Sequence, residues 1–266
     1  MKTLRSGRRT LSPEGRRRIS RFVLSNQGPG GGFRGPDGIS EDTYYSWFGG
    51  ALVTTGRHPR AFVTLRRFVG ELSRRGAAPM SLPETAAWSA LRRMTWLKRK
   101  NVDLSPFMTP GGGYSHLPGA VERPTSYGAY LARLAAESAG MDLPVTPLAE
   151  WEPASGASGL AAEILLIMLA GAPGDPAGRR RALLSLVDQA GGIRPHAAGT
   201  ADALSTGAGL TALKVSGGVP EDLRTNMARF IEACWTDSGG FREAPDHGAP
   251  DVEYTFYALL GLGALT

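Results

Sequence analysis

Cysteine is almost absent from this chain of 266 residues, which contains only Cys234. A single cysteine excludes an internal disulfide framework and any cysteine-rich zinc module, and it is typical of a reducing compartment. Long apolar runs are also missing, since no stretch approaches the roughly 18 residues that a transmembrane helix needs. A signal peptide is not expected, because Arg16, Arg17 and Arg18 stand where its apolar segment would lie. We therefore expect a cytoplasmic protein with no transmembrane segment.

Lysine is scarce too, with four residues against 26 arginines. The net charge of +6 is confined to residues 1–18, which carry seven basic side chains and one acidic side chain, whereas the other residues carry 23 of each. The content of 42% hydrophobic residues indicates a folded chain. We expect residues 1–11 to form a solvated basic arm that makes no specific nucleic-acid contact, followed by a single domain over residues 12–266.

A repeated glycine mark, two glycines followed by an aromatic or aliphatic residue, divides the chain. It lies at residues 31–33, 112–114, 191–193 and 239–241. After each mark come a polar loop, an acidic residue and an apolar run. The acids are Asp42, Glu122, Asp202 and Asp251. An acid at this point is typical of a helix N-cap, where it satisfies free backbone N–H groups and favours the helix dipole.

Two more apolar runs lie after Glu84 and at residues 157–169, so six apolar helices are predicted. Their starts near 40, 83, 124, 156, 200 and 250 give a mean period of 42 residues. Amphipathic segments alternate with them, at 12–25, 59–74, 103–108, 145–151, 176–189 and 219–234. The alternation predicts six hairpins, each with an outer amphipathic helix and an inner apolar helix, and essentially no strand.

A repeat of this length could build an open solenoid or a closed ring of helical hairpins. An open array needs polar terminal repeats, whereas the last apolar helix, near 254–265, is as apolar as the middle ones. Closure onto the first repeat would protect that helix. We therefore predict an all-α fold, an (α/α)6 toroid with inner and outer rings of helices.

Two segments resemble the glutamine-aromatic repeat of squalene and oxidosqualene cyclases. They are residues 22–33, with Gln27, and residues 230–241, with Trp235 in the glutamine position. Residues 31–56 and 239–265 resemble the repeat of protein prenyltransferase β subunits. The resemblance implies the six-hairpin toroid of these families, whose central cavity holds an isoprenoid chain against aromatic side chains. It leaves open whether a helical partner subunit binds.

Most of the residues that bind zinc in protein prenyltransferases have no match in this chain. In that family an Asp, a Cys two residues later and a His on the next inner helix bind zinc. Asp42 matches that Asp and Tyr45 matches a tyrosine that contacts diphosphate, but Tyr44 stands at the Cys position. If Asp202 is aligned with the zinc-binding Asp instead, Leu204 stands at the Cys position, and Tyr254 stands where the ligand His would be. Because tyrosine is a poor zinc ligand, we expect no zinc, whereas magnesium would be compatible with a diphosphate substrate.

Type II cyclases protonate an alkene with the middle Asp of an Asp-x-Asp-Asp motif, which none of the 11 aspartates forms. The nearest acidic cluster lies in the last repeat and consists of Glu243, Asp246, Asp251 and Glu253, with His247 among them. Helix capping is the favoured interpretation of the acids at helix starts, Asp42, Asp202 and Asp251, because each glycine mark is followed by an acid there. Both interpretations remain open on the sequence.

The candidate site follows from the resemblance and from the aromatic residues near helix starts. The candidate catalytic residues are Asp42, Tyr45, Asp251 and Tyr254. The candidate substrate-binding residues are Arg34, Tyr44, Trp47, Trp88, His116, Tyr127, His196 and Asp202. Aromatic faces stabilise carbocations, and a basic side chain would contact a diphosphate. Two functions remain: a prenyltransferase-like or terpene-cyclase-like protein that binds an isoprenoid, and a non-catalytic scaffold or hydrophobic-ligand-binding protein.

Overall fold

A computed structural model describes residues 1–75, 81–120, 123–144 and 154–266. They divide into a terminal unit, which comprises Met1–Asn26 and Pro153–Thr266, and a middle unit, which comprises Gln27–Glu152. In chain order the described elements are α1 (Lys2–Thr10), α2 (Pro13–Ser25), β1 (Phe33–Arg34), β2 (Glu41–Asp42), α3 (Thr43–Gly56), α4 (Pro59–Arg75), α5 (Leu82–Met94), the 3-10 helix η1 (Ser105–Phe107), α6 (Ser126–Ala139), α7 (Ala157–Ala170), α8 (Pro176–Leu184), α9 (Ala203–Val215), α10 (Glu221–Ala233) and α11 (Val252–Ala264). Across these ranges, no helix is long and apolar enough to cross a membrane.

The six predicted apolar helices are α3, α5, α6, α7, α9 and α11, and each begins within three residues of its predicted start. In the middle unit α5 packs against α3 and α6, and in the terminal unit α9 packs against α7 and α11. Small residues bring these backbones together. Gly207 of α9, for example, lies directly against the backbone carbonyl of Tyr257 on α11.

The amphipathic helices agree with the sequence in three cases, α2, α4 and α10. The segment predicted at 176–189 forms the shorter α8, because Val187 leaves the helix and forms an antiparallel bridge with Ile193. The segment predicted at 103–108 is only the three-residue η1. The predicted segment at 145–151 lies outside the described residues.

Acid caps are confirmed at three helix starts. A carboxylate oxygen accepts a hydrogen bond from the backbone N–H three residues later at Asp42, Asp202 and Asp251. The starts of α5 and α6 use the hydroxyl groups of Ser81 and Thr125 instead, while Gly156 precedes α7 without a side-chain cap. Glu122, the predicted acid of its repeat, lies outside the described residues.

The glycine marks pack the loops against amphipathic helices. The first glycine of every mark has a positive φ, a conformation that side chains disfavour: Gly31, Gly112, Gly191 and Gly239. In three marks the second glycine contacts a phenylalanine ring: Gly32 with Phe68, Gly192 with Phe230, and Gly240 with Phe22. Glycine is therefore needed at the first position for backbone conformation and at the second for space.

The expectation of a solvated arm over residues 1–11 is wrong, because these residues form α1 and pack against α11. Leu4 is buried, and Gly7 lies directly against the backbone of α11 at Leu259 and Gly263. The exposed basic side chains of α1 are Lys2, Arg5 and Arg9. Because these charged residues dominate the segment, the sequence analysis did not predict a helix with one apolar, tightly packed face.

The apolar helix α11 is thus covered on two faces. Tyr257 and Gly261 face α9, whereas Leu259 and Gly263 face α1. Residues that are two positions apart on a helix, such as Tyr257 and Leu259, point in directions that differ by about 200°, so these faces are nearly opposite. The protection predicted for the last helix is present, and α1, which precedes the first hairpin, provides it. The single domain predicted over residues 12–266 stays a prediction.

Candidate functional site

The carboxyl group of Asp251 lies at the start of α11 in the terminal unit and is only 4% exposed. One of its oxygens accepts a hydrogen bond from the Tyr254 N–H at 2.7 Å. Burial raises the pKa of Asp251 to about 6, against the opposing effect of backbone N–H donors. This carboxyl group therefore loses its proton at a higher pH than an ordinary aspartate does.

Other acids lie around the same helix starts. Asp202 caps α9, where Ser205 donates to it from its backbone N–H at 2.5 Å and from its hydroxyl at 2.9 Å. Burial, with a smaller contribution from Glu243, raises the pKa of Asp202 as well. The Glu243 carbonyl accepts a hydrogen bond from Ala203 N–H at 2.7 Å, which joins the start of α9 to the loop before α11. Glu253, one residue beyond Val252, is 7% exposed.

The half-buried Tyr254 is part of this acidic group. Its pKa is raised, first by burial and then by the negative charges of Glu243, Asp251, Glu253 and Asp202. The phenol therefore stays neutral across the physiological range. It offers a hydroxyl donor and an aromatic face next to a protonatable carboxyl group. We call Asp202, Glu243, Asp251, Glu253 and Tyr254 the acidic cluster.

The acidic cluster has the chemistry of a proton donor. Its aspartates accept backbone hydrogen bonds as helix caps, and no three His, Cys, Asp or Glu side chains in the described ranges are arranged to bind a metal ion. The one cysteine, Cys234, is buried, and burial raises the pKa of its thiol to about 12. A thiolate nucleophile is therefore not expected at this position.

Asp42 has the corresponding position in the middle unit, at the start of α3. Its oxygen accepts a hydrogen bond from Tyr45 N–H at 2.7 Å, and burial raises its pKa, with smaller contributions from Glu84 and Asp37. Aromatic rings follow on α3. Tyr44 lies 5.4 Å from Tyr45 and 5.0 Å from Phe48, and Trp47 lies 4.8 Å from Phe48, between ring centroids. The structure thus brings together Asp42, Tyr44, Tyr45 and Trp47.

Arg34 lies beside this aromatic group along the backbone. It is on β1, paired with Glu41 of β2, while the preceding Phe33 pairs with Asp42. The Glu41 carboxylate accepts hydrogen bonds from the N–H groups of Gly30 and Gly32, both at 2.7 Å. The acid of this loop therefore stabilises the glycine mark, a role that the sequence analysis missed.

The remaining candidates have different neighbours. His116 and Tyr127 contact each other edge to face, with ring centroids 5.4 Å apart. Trp88 instead lies under the guanidinium group of Arg92, at 5.5 Å. His196 is exposed in a loop of the terminal unit.

One further buried acid was not predicted. Glu163 on α7 is 2% exposed, forms an ion pair with Arg179 of α8 and accepts a hydrogen bond from Ala154 N–H at 3.1 Å. The sequence signal was a lone acid inside an apolar run. Its contacts connect α7 to its neighbours in the chain.

The family model described as the prenyltransferase alpha-alpha toroid domain matches residues 3–225 and 222–266. This match confirms the predicted all-α toroid. It also confirms the resemblance that the repeats at both ends of the sequence indicated. The comparison with curated proteins finds no match.

Solved structures of similar fold match over nearly the whole chain. The apo type II terpene cyclase MstE from Scytonema is 12% identical with a TM-score of 0.62, and the match covers 95% of this chain and 96% of that chain. A variant of that cyclase in complex with its substrate, geranylgeranyl dihydroxybenzoate, is 12% identical with a TM-score of 0.63, covering 99% and 97%. A protein from Actinoplanes is 17% identical with a TM-score of 0.58, covering 95% and 98%. At these identities the likeness shows the fold alone.

Proposed function

The chain belongs to the prenyltransferase alpha-alpha toroid domain family, and we propose that it is a terpene-cyclase-like enzyme that protonates an isoprenoid chain. The observation that carries this proposal is the buried carboxyl group of Asp251, whose pKa is raised to about 6. Such a group holds its proton under mildly acidic conditions, which is the state that a general acid needs.

In the proposed reaction, Asp251 gives its proton to one carbon of an alkene. A C–H bond forms at the expense of the π bond, and the neighbouring carbon becomes a carbocation. Other double bonds of the chain attack this cation and close rings. Loss of a proton from the last cation restores an alkene, so the product is an isomer of the substrate and the proton balance is zero.

The other members of the acidic cluster support this role. The charge of Glu243 contributes to the raised pKa of Asp251, after burial. Tyr254 follows on the first turn of α11 and stays neutral because its pKa is raised. Its ring offers a π face for a nearby cation, and its hydroxyl contributes a hydrogen-bond donor.

The proposed substrate is a long apolar isoprenoid. A solved structure of similar fold binds geranylgeranyl dihydroxybenzoate, and each buried methylene of such a chain contributes about 0.8 kcal/mol. The central cavity of the toroid is the predicted place of the chain. Tyr44, Tyr45 and Trp47 are the proposed aromatic contacts, and Arg34 is the proposed contact of a polar head.

Zinc-dependent thiol prenylation is less well supported by the residues. Tyr44 stands at the position of the zinc-binding Cys, and its ring packs against Tyr45 and Phe48. A non-catalytic isoprenoid-binding protein is the second candidate, because helix capping alone accounts for the hydrogen bond that Asp251 accepts from Tyr254.

The test is turnover of geranylgeranyl dihydroxybenzoate in deuterated buffer, followed by chromatography and mass spectrometry. We expect cyclic isomers that carry one deuterium from the acid. Asp251→Asn keeps the helix cap, because Asn caps as well as Asp, but has no acidic proton. It should lower the rate about 100-fold or more. Asp175→Asn, at the exposed N-cap of α8, is the matched control and should keep the wild-type rate.

Each outcome decides between the candidates. Full turnover in Asp251→Asn would show that another group is the acid. A rise in melting temperature with the ligand but no product would favour the non-catalytic binding protein. If no isoprenoid gives either turnover or a thermal shift, isoprenoid handling as a whole is contradicted.

A further inference from the structure

A cavity lies within the middle unit, between α4, α5 and residues 100–107, and has a volume of about 580 Å³. It lies where the repeat predicts an amphipathic helix and the chain instead forms the three-residue η1. A single turn covers less of α4 and α5 than a helix would. The volume is in the range of small-molecule sites in proteins.

Two buried polar groups on α5 line this cavity. Ser89 is 3% exposed, and its hydroxyl has no hydrogen-bond partner among the residues that the structure describes. The Nε atom of Arg92 is likewise buried and without a partner in this part of the chain. The two residues are one helical turn apart and lie on the same face of α5. Unsatisfied buried donors are costly, above all on a charged group, and a ligand acceptor would remove that cost.

The guanidinium group of Arg92 is already fixed in place. Its two terminal nitrogens donate to the Ser73 hydroxyl and to the Lys98 carbonyl, and its plane lies over the Trp88 ring at 5.5 Å. These contacts use one hydrogen of each terminal nitrogen, and the Nε–H group is buried without a partner among the described residues. A side chain held in this way loses little conformational entropy when it binds a ligand.

The charge of the lining favours an anion. Among the described residues of the lining, Arg92 and Lys100 are basic, and Asp103 is the only acid. One oxygen of Asp103 accepts hydrogen bonds from the Ser105 N–H at 2.9 Å and the Ser105 hydroxyl at 2.6 Å, so this carboxylate is bonded to η1. The rest of the lining is largely apolar, and Trp88 and Phe107 contribute its aromatic rings.

We propose that this cavity is a binding site for an aryl carboxylate, separate from the acidic cluster. Its carboxylate accepts hydrogen bonds from Arg92 Nε–H and the Ser89 hydroxyl, with Lys100 nearby as a second positive charge. Its ring packs against Trp88 and Phe107. The cavity belongs wholly to the middle unit, whereas the acidic cluster belongs to the terminal unit.

Calorimetric titration with naphthoate and benzoate, and with uncharged naphthamide, tests the proposal on the full chain. We expect the acids to bind with a Kd below about 1 mM and the amide to bind at least tenfold more weakly. Arg92→Gln should weaken naphthoate binding about 10- to 100-fold. The adjacent, exposed Arg93→Gln removes the same charge from the same helix without touching the cavity, and it should bind as the wild type does.

A second variant is needed because Arg92 also bonds to Ser73 and Lys98, so Arg92→Gln removes contacts within the fold as well as the proposed ligand contact. Ser89→Ala removes only a hydroxyl that has no partner among the described residues, so it should leave the melting temperature unchanged while weakening naphthoate binding several-fold. In nitrogen-15 spectra, the Nε–H signal that Arg92→Gln lacks should shift on titration. Equal binding of naphthamide, an unchanged affinity in Arg92→Gln, or no binding at millimolar concentration would overturn the proposal. None of these readouts depends on turnover of an isoprenoid.

Discussion

Gly240, in the last glycine mark, lies against the aromatic ring of Phe22 on α2, the first amphipathic helix of the chain. Two of the other three marks make the same contact with the amphipathic helix that follows them: Gly32 with Phe68 of α4, and Gly192 with Phe230 of α10. For the last mark, α2 takes the place of the following helix. This cyclic order of contacts agrees with the toroid of the family.

The packing of α1 against α11 can be tested with Gly7→Ala. A methyl group there would overlap with the carbonyl oxygen of Leu259, in backbone that cannot move aside cheaply. We expect the free energy of unfolding to fall by about 2 kcal/mol or more, and α1 to become accessible to protease. Urea unfolding and limited proteolysis of the basic residues in α1 measure these effects.

Gly70→Ala is the matched control, because it makes the same change inside α4 where nothing lies within 4 Å of the added methyl. It should stabilise the protein by up to about 1 kcal/mol, since alanine favours helix. Equal effects of the two substitutions would contradict the close approach of α1 to α11.

The raised pKa of Asp251 predicts a pH dependence of stability. The folded state holds this proton up to about pH 6, whereas the unfolded chain releases it near the ordinary aspartate value of 3.8. Protonation is thus greater in the folded state between these values, so the contribution of Asp251 to stability falls as pH rises from about 4 to about 6. The difference is about 2 to 3 kcal/mol. Asp251→Asn should remove this part of the slope in urea unfolding.

Asp175→Asn supplies a control of opposite sign. Backbone N–H donors of the first turn of α8 lower the pKa of Asp175, which is fully exposed. Its stabilising contribution is therefore present above the unfolded pKa and is lost as the pH falls. A slope that is the same in the wild type and in Asp251→Asn would refute the assignment of a protonated carboxyl group to Asp251.

The ion pair of Glu163 and Arg179 predicts that substitution of Arg179 alone destabilises the protein more than substitution of both residues does. Arg179→Leu takes away the cation beside a carboxylate that is 2% exposed, so we expect a loss of about 3 kcal/mol. Adding Glu163→Leu removes the buried charge and should recover part of that loss. A double-mutant cycle by thermal unfolding checks this, and simple additivity would contradict it.

Isoprenoid binding predicts a thermal shift that depends on α3. Geranylgeranyl diphosphate should raise the melting temperature, and the combined change Tyr45→Ala and Trp47→Ala should abolish the rise without loss of helix content by circular dichroism. Trp96→Ala, at a residue that is 76% exposed, should leave the rise intact. A rise that survives the double change would place the apolar chain elsewhere.

Much of the fold could be predicted because the repeat carries its own markers. The glycine marks and the acids Asp42, Asp202 and Asp251 are local signals, and they fixed the helix starts to within three residues. The packing of α1 could not be predicted, because the arginines around Leu4 and Gly7 dominate its composition. Its cover of α11 depends on a contact between the two ends of the sequence.

The candidate site was only partly predictable. Glu243 and Glu253 are close to Asp251 in sequence, so this part of the acidic cluster was visible, whereas the proximity of Asp202 and the burial that raises the pKa of Asp251 come from packing. The cavity at Ser89 and Arg92 was not visible. It exists because η1 is short, and nothing in the spacing of α5 shows which polar side chains lack a partner.

The contacts of α1 and α2 with the last repeat also have a consequence for synthesis. These two helices leave the ribosome before the middle unit, whereas their partners, Gly240 and α11, leave it after the middle unit. The middle unit is complete in sequence long before the terminal unit has all its parts, so we expect it to fold first. The terminal unit must wait for residues 239–264, with the apolar faces of α1 and α2 uncovered meanwhile. A chain that stops before α11 therefore presents those faces to chaperones and proteases.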